Sequence, residues 1–160
     1  MLVERQFDMI RQLKPEKDIE RVVEIWLNES KRVHDFIADA DTFWNGRINK
    51  FVSETSRADG YVYEEDRVIK GFIVLSNTYI SELYVDSTWQ GRGIGTALLN
   101  LAKCCSKSLF LNVYVKNVQS INWYLNRGFV LVGTPYEEKD TKQLKYTMIW
   151  PKTSAPVIPS

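Results

Sequence analysis

The segment Gln90-Gly91-Arg92-Gly93-Ile94-Gly95-Thr96 sets three glycines at alternate positions, between a β-rich run and an apolar helical pattern. Glycines let a backbone approach a ligand closely. Several N–H groups then point outward at a helix N-terminus, where the dipole also favours an anion. Phosphate suits such a loop, and Arg92 and Thr96 can add side-chain donors. A nucleotide P-loop would need Gly-x-x-x-x-Gly-Lys-Ser/Thr, and no Lys follows Gly95. A dinucleotide fingerprint would need Gly-x-Gly-x-x-Gly with an acid about 20 residues on, but here no acid follows until Glu137. An ATPase or a nicotinamide enzyme does not fit. A tight turn without a ligand remains the alternative.

Other side chains can handle protons. Asn117, Ser120 and Tyr124 share one helix face, since seven residues make two turns. Along Ser81–Val85, strand alternation puts Glu82 and Tyr84 on one face and Leu83 and Val85 on the other. Glu82 is either a base or an exposed acid without a role. His34 is the sole histidine, and an ordinary pKa near ~6.5 suits a proton relay; a satisfied structural histidine is the alternative. Asp35, Asp39 and Asp41 can attract a cation or simply edge a solvated loop. Cys104 and Cys105 are adjacent, which fits neither a disulfide framework nor zinc spacing. At least one of the two is expected in the core.

The elements that must position these residues follow from periodicity. Met9–Leu13 alternates as a strand, and Pro15 suits the first turn of a helix. Ile19, Val22, Val23, Trp26 and Leu27 form that helix's apolar stripe. A second helix carries Trp44, Ile48, Phe51, Val52 and Thr55, with Asp41 as candidate N-cap. Tyr61–Glu64 and Val68–Leu75 make a hairpin across Glu65-Asp66-Arg67. Strand Thr78–Val85, helix Ile94–Lys107 and strand Leu109–Val115 form a right-handed βαβ unit. A helix through Ile121, Tyr124 and Leu125 ends at Gly128, and Phe129–Gly133 and Leu144–Trp150 are the last strands. The order β-α-α-β-β-β-α-β-α-β-β predicts an α/β fold with a mixed, mostly antiparallel seven-stranded sheet and about four helices. The single domain spans 9–150, with a 1–8 extension before it and a loose Pro-rich tail over 151–160.

The chain's 160 residues suit one domain with its own core. No apolar run approaches the ~20 residues of a membrane span, and no signal-peptide pattern opens the chain. The composition points to a soluble cytoplasmic protein. Its net charge of +1 gives no reason to expect nucleic acid or an acidic membrane as partner, and the five tryptophans do not interleave with a basic patch. That balance conceals an arrangement. Residues 1–86 carry 12 basic and 17 acidic side chains, whereas residues 87–136 carry five basic and none acidic. Chance plus burial is one explanation, and an anion bound along 87–136 is the other.

Two segments carry a family resemblance. Gln90-x-x-Gly93-x-Gly95 after a strand resembles the acetyl-CoA pyrophosphate loop of the GNAT superfamily of N-acetyltransferases. Asn117-x-x-Ser120-x-x-Trp123-Tyr124-x-x-x-Gly128-Phe129 is similar to that family's Asn-x-x-Ala-x-x-Phe-Tyr-x-x-x-Gly-Phe, with Ser for Ala and Trp for Phe. The element order over residues 9–150 also matches. Trp26, Ser30, His34, Phe36, Ile37, Phe43 and Trp44 further resemble the bacterial YiaC/YjaB-like subgroup.

The resemblance implies acetyl transfer from acetyl-CoA to an amine by direct attack in a ternary complex, without a metal. The acceptor is a protein lysine, an N-terminus or a small-molecule amine. The implied cofactor contacts are Leu83, Tyr84, Val85, residues 90–96, Asn117, Ser120 and Tyr124. A backbone N–H near Leu83 or Tyr84 polarises the acetyl oxygen, Tyr124 is the general acid, and Glu82 is the candidate base, acting through water. His34, Phe36 and Trp44 line the acceptor site. Dimers are common in the family, so a homodimer is among the implied partners. A non-catalytic acyl-CoA-binding module on the same fold is the alternative.

Overall fold

A computed structural model describes residues 2–151. Of the tail expected over 151–160, residues 152–160 lie outside the described residues. The elements run α1 (Leu2–Asp8), β1 (Ile10–Gln12), α2 (Pro15–Val33), α3 (Ala40–Asn45), α4 (Ile48–Arg57), β2 (Asp59–Glu65), β3 (Val68–Ser76), β4 (Tyr79–Val85), α5 (Ile94–Cys105), β5 (Leu109–Tyr114), α6 (Val118–Leu125), β6 (Val130–Glu137) and β7 (Leu144–Trp150). All seven strands join one sheet in the order β1-β2-β3-β4-β5-β7-β6. Among the described residues only the β4–β5 pairing is parallel. The expected α/β class, strand count and mixed sheet are those of the structure. The extension ahead of β1 is helical, and it touches α5.

Apolar residues on both sheet faces bury two clusters. On one face α5 lays Ile94, Leu98 and Leu99 over Ile73, Leu75, Leu111 and Met148. On the other, α2 and α4 bring Val22, Trp26 and Phe51 onto Val62, Phe72 and Val74. The Trp26 and Phe51 rings stack 4.3 Å apart and tie the two helices together.

The α2 stripe lies slightly rotated from the one its apolar residues suggest. Its buried positions are Asp18, Val22, Ile25, Trp26, Glu29 and Ser30, with Ile19, Val23 and Leu27 half-buried. A polar anchor sets that rotation. Asp18 accepts both nitrogens of the Arg11 fork at 2.7 and 2.9 Å and the Lys14 N–H at 2.8 Å. A bidentate arginine–carboxylate pair fixes direction as well as distance, so α2 starts at a set angle to β1.

Three local expectations are corrected. The helix expected from Asp41 to Thr55 is two helices, broken at Gly46-Arg47. Glycine is a weak helix former, and the Arg47 guanidinium leaves the helix line to pair with Asp140 and cover the Phe43 ring at 4.3 Å. Asp41 sits in the first turn of α3 and is not its N-cap; Asp39 holds that position in a left-handed conformation. Cys104 and Cys105 are both exposed, because the stripe of α5 that faces the sheet passes through Ala102.

Two distortions shape β4. Its register against β3 slips between Glu82–Val74 and Ile80–Leu75, which makes Ser81 a bulge, and Ser81 Oγ donates to Val74 O at 3.1 Å. Beside β5, β4 keeps one pair, Tyr79–Phe110. Beyond it β5 follows β7 for four more pairs while β4 follows β3, so the sheet opens like a V. Phe72, fully buried between α4 and β4, holds the β3 side of that V. Phe72→Ala should lower unfolding free energy by about 3–5 kcal/mol in chemical denaturation. A loss under about 1 kcal/mol would contradict this packing.

Candidate active site

The opening between β4 and β5 leads into a cavity of about 820 Å³. One end is the Gln90–Thr96 loop, and the other is walled by α2, α3, α4 and β7. The sheet register decides which backbone groups face the gap. Asp86, one residue past β4, donates its N–H to Lys70 O at 2.9 Å. Bonded and non-bonded pairs alternate along an antiparallel ladder, so Tyr84 and Glu82 spend their backbone groups on Phe72 and Val74. The N–H and C=O groups of Leu83 and Val85 therefore turn away from β3, toward the gap. Of the two backbone donors considered from sequence, the register favours Leu83 over Tyr84.

The loop is built as its glycines suggest, each for its own reason. Gly91 and Gly93 adopt φ of +78° and +81°, and Gly93 caps α5. Gly95 instead makes room, since a Cβ there would lie 3.2 Å from the Trp123 ring. Ile94 is a core residue, so only its backbone is available to a ligand. Thr96 Oγ1 accepts from Arg127 Nε at 3.1 Å.

Across the gap stands α6. Asn117 caps it, its Oδ1 accepting the Ser120 N–H at 3.2 Å. The helix closes in a Schellman turn at Gly128 (φ +91°), with Phe129 N–H donating to Tyr124 O and Gly128 N–H to Leu125 O. Between these caps Tyr124 packs its ring on Trp123 and Phe129 and lines the cavity, as does Ser120.

At the acceptor end His34 and Trp44 are buried with rings 5.3 Å apart, and both line the cavity. His34 Nε2 lies 3.5 Å from Asn117 Nδ2. His34 Nδ1 and Trp44 Nε1 have no partner among the described residues. The structural alternative for His34 thus holds in burial but not in satisfaction. Asp35, Asp39 and Asp41 do not line the cavity; Asp41 meets Lys31 at 3.5 Å in solvent. The charges that do line this end are Glu54, Glu82, Glu138 and Asp140 with Arg47, Lys50 and Lys145.

The cavity thus gathers Glu82, Leu83, Tyr84, Val85, Gln90, Gly91, Gly93, Ile94, Gly95, Thr96, Asn117, Ser120, Tyr124, His34 and Trp44. Two expected residues stand apart. Arg92 is exposed, its guanidinium 5.0 Å over the Trp89 ring. Phe36 backs the site from outside, edge-on to His34 and Tyr114. Sequence reasoning missed Glu29, Trp123, Arg127 and Lys145 as lining residues. Trp123 and Arg127 lay within the second motif. Glu29 and Lys145 carried only a period that put them on the inner side of α2 and β7.

Burial sets the protonation states. It pushes the Glu82 carboxyl up to about 8, helped by Glu54 and opposed by Lys145. Burial, then the Lys145 charge, brings His34 down to about 4. His34 is therefore neutral near pH 7; of its two readings, this weighs against a relay at the ordinary pKa and toward the structural one. Burial raises the Tyr124 phenol well above its usual range, with Glu82 adding to the effect, so it stays protonated. Lys145 is lowered by burial against the pull of Glu138 and Glu82.

The model of the acetyltransferase (GNAT) domain matches residues 25–150. The chain belongs to the GNAT acetyltransferases. Among its relatives, the peptidyl-lysine N-acetyltransferase YiaC of Escherichia coli K12 is 29% identical over 146 residues, covering 89% of this chain and 97% of the relative. The peptidyl-lysine N-acetyltransferase YjaB of the same strain is 30% identical over 115 residues, covering 71% and 77%. The solution structure of apo YjaB from Escherichia coli superposes with a TM-score of 0.75 at 25% identity over 88% of this chain and 95% of that one. PaiA N-acetyltransferase from Thermoplasma acidophilum, solved with coenzyme A, shares the fold at a TM-score of 0.70 and 20% identity, over 88% and 96%.

In this GNAT enzyme the raised Glu82 gives a signed stability test. Burial favours its protonated form, so the fold loses stability as pH rises from the ordinary carboxylate range through about 8. Glu82→Gln should raise Tm more at pH 9 than at pH 5, read by thermal melts. Equal shifts at both pH values would show that Glu82 does not titrate between them.

Proposed function

We propose that this acetyltransferase moves the acetyl group of acetyl-CoA onto the side-chain amine of a peptidyl lysine, by direct attack in a ternary complex. The observation that carries this reading is the parting of β4 from β5. It leaves the Leu83 and Val85 backbone groups facing a gap that ends at a glycine loop and a helix N-terminus. An elongated donor with an amide-bearing arm and a pyrophosphate matches both parts. The lysine acceptor is supported by the relatives named peptidyl-lysine N-acetyltransferases.

Each step is assigned to a residue that lines the cavity. The Leu83 N–H polarises the acetyl oxygen, and a fixed backbone donor of this kind is worth roughly 10²–10³ in rate. Glu82 takes the proton from the incoming ammonium. A carboxylate near 8 is far better matched to a lysine at ~10.4 than an ordinary one at ~4.3. The uphill transfer then costs about 3 kcal/mol instead of about 8. Tyr124, held protonated, donates toward the leaving thiolate. His34 and Trp44 wall the acceptor end as neutral rings. No cluster of three or more metal-ligating side chains occurs among the described residues, and no described helix is long and apolar enough to cross a membrane. Two free cysteines suit a reducing compartment, and we place the enzyme in the cytoplasm.

Thiol release and mass spectrometry with acetyl-CoA and lysine peptides test the assignment, with acetylated lysine expected. Acetylation of polyamines or aminoglycosides without peptide acetylation would overturn the acceptor. Tyr124→Phe should lower kcat by about 100-fold while leaving the KM for acetyl-CoA nearly unchanged; an unchanged kcat would remove Tyr124 from the chemistry. The rate should rise with pH up to about 8, and Glu82→Gln should abolish that limb. A limb that survives the substitution would assign the base elsewhere.

A further inference from the structure

Glu29 is a carboxylate on the inner face of α2 whose side chain is only 5% exposed. Four donors converge on it. Its Oε1 accepts from Arg32 Nε at 2.9 Å, Arg32 Nη2 at 2.6 Å and Gln90 Nε2 at 3.0 Å, and its Oε2 accepts the Ser87 N–H at 3.3 Å. Gln90 opens the glycine loop. Its Nε2 also donates to Val85 O at 2.8 Å, and its Oε1 accepts from Arg32 Nη2 at 3.4 Å. Both donors of the Gln90 amide are thus in use. That side chain is a clamp joining α2, the gap-facing end of β4 and the first residue of the loop, and is not free to reach for a phosphate.

We infer that Glu29 is a positioning residue for the donor loop, acting through Gln90 to fix where β4 ends and the loop begins. The inference rests on the reading that this loop binds acetyl-CoA. Two physical arguments support it. An amide locked by a charge-assisted bond at one end and a backbone carbonyl at the other holds one orientation. Nearly buried carboxylates are retained only with such partners, because leaving one unpaired is expensive. The sign of the charge also separates positioning from simple electrostatics. A carboxylate beside an anion-binding loop repels the anion, even with Arg32 paired to it. If charge alone mattered, Glu29→Gln would tighten donor binding. If position matters, it weakens binding, since a neutral amide grips Gln90 and Arg32 less firmly.

Calorimetric titration of acetyl-CoA into the full chain tests this, with Glu29→Ala, Glu29→Gln, Gln90→Ala and the Glu29→Ala/Gln90→Ala double variant. Kinetics with a lysine peptide run alongside. Glu29→Ala and Gln90→Ala should each weaken binding by about 10-fold. The double variant should also be about 10-fold weaker, not about 100-fold, because the two residues act as one unit. The KM for acetyl-CoA should follow binding, with kcat moved less than about 2-fold. If Glu29→Ala does not fold, Glu29→Gln keeps the side chain's shape and must still weaken binding. Unchanged or tighter binding in Glu29→Gln, or additive losses in the double variant, overturns the positioning role. Failure of the unsubstituted protein to bind acetyl-CoA would instead overturn the reading of the loop.

Discussion

β4 and β5 run parallel, share the pair Tyr79–Phe110, and then part. Each strand has a better partner on its other side, β3 for one and β7 for the other. Backbone donors and acceptors that leave a ladder normally need new partners. Here the groups of Leu83 and Val85 remain turned toward a cavity, and among the described residues only Val85 O has a side-chain partner, the Gln90 amide. The bulge at Ser81 belongs to the same arrangement. It resets the alternation so that Ile80 and Leu83 both join the α5-side cluster, while Tyr84 packs on the α2 side. The rest of the site is built around this opening, with the glycine loop at its end, α6 across it and α2 along its edge.

Burial then makes the site's chemistry from ordinary side chains. Where burial strips water from a side chain, a carboxyl prefers its neutral form and so does an imidazole, and Glu82 and His34 move in opposite directions for that one reason. The result is a base of raised strength and a neutral ring in one cavity. Tyr124 is kept protonated by the same desolvation. Lys145 opposes the rise of Glu82 and deepens the fall of His34, so one β7 side chain tunes both neighbours.

Much of this was legible in the sequence because it is written in short-range chemistry. The glycines of residues 91–95, the Asn117 cap, the Gly128 stop and the alternation of Ser81–Val85 each dictate local geometry, and together they locate the donor half. What escaped is long-range. Nothing near Glu29 in sequence says that its carboxylate will meet Gln90, 61 residues on. Lys145 sits in an alternating strand whose inner face reads the same for a core or a cavity. The split at Gly46-Arg47 depends on Arg47 reaching Asp140, 93 residues away. The pKa of His34 likewise depends on how deeply α2, α3 and β5 enclose it, and no local pattern records depth. Of the two readings of the Asp35–Asp41 cluster, the fold takes the solvated loop, since all three side chains are exposed and lie outside the cavity.

The central claim is that the backbone groups of Leu83 and Val85 form the donor-binding edge. Residue-resolved amide hydrogen exchange, with and without acetyl-CoA, tests it most directly. The amides of Leu83 and Val85 should exchange faster than that of Tyr84 in the free protein, because only Tyr84 is held by β3. On adding acetyl-CoA they should slow by about 10-fold or more, with Tyr84 little changed. Binding of acetyl-CoA that leaves the Leu83 and Val85 amides as exchangeable as before would contradict the account.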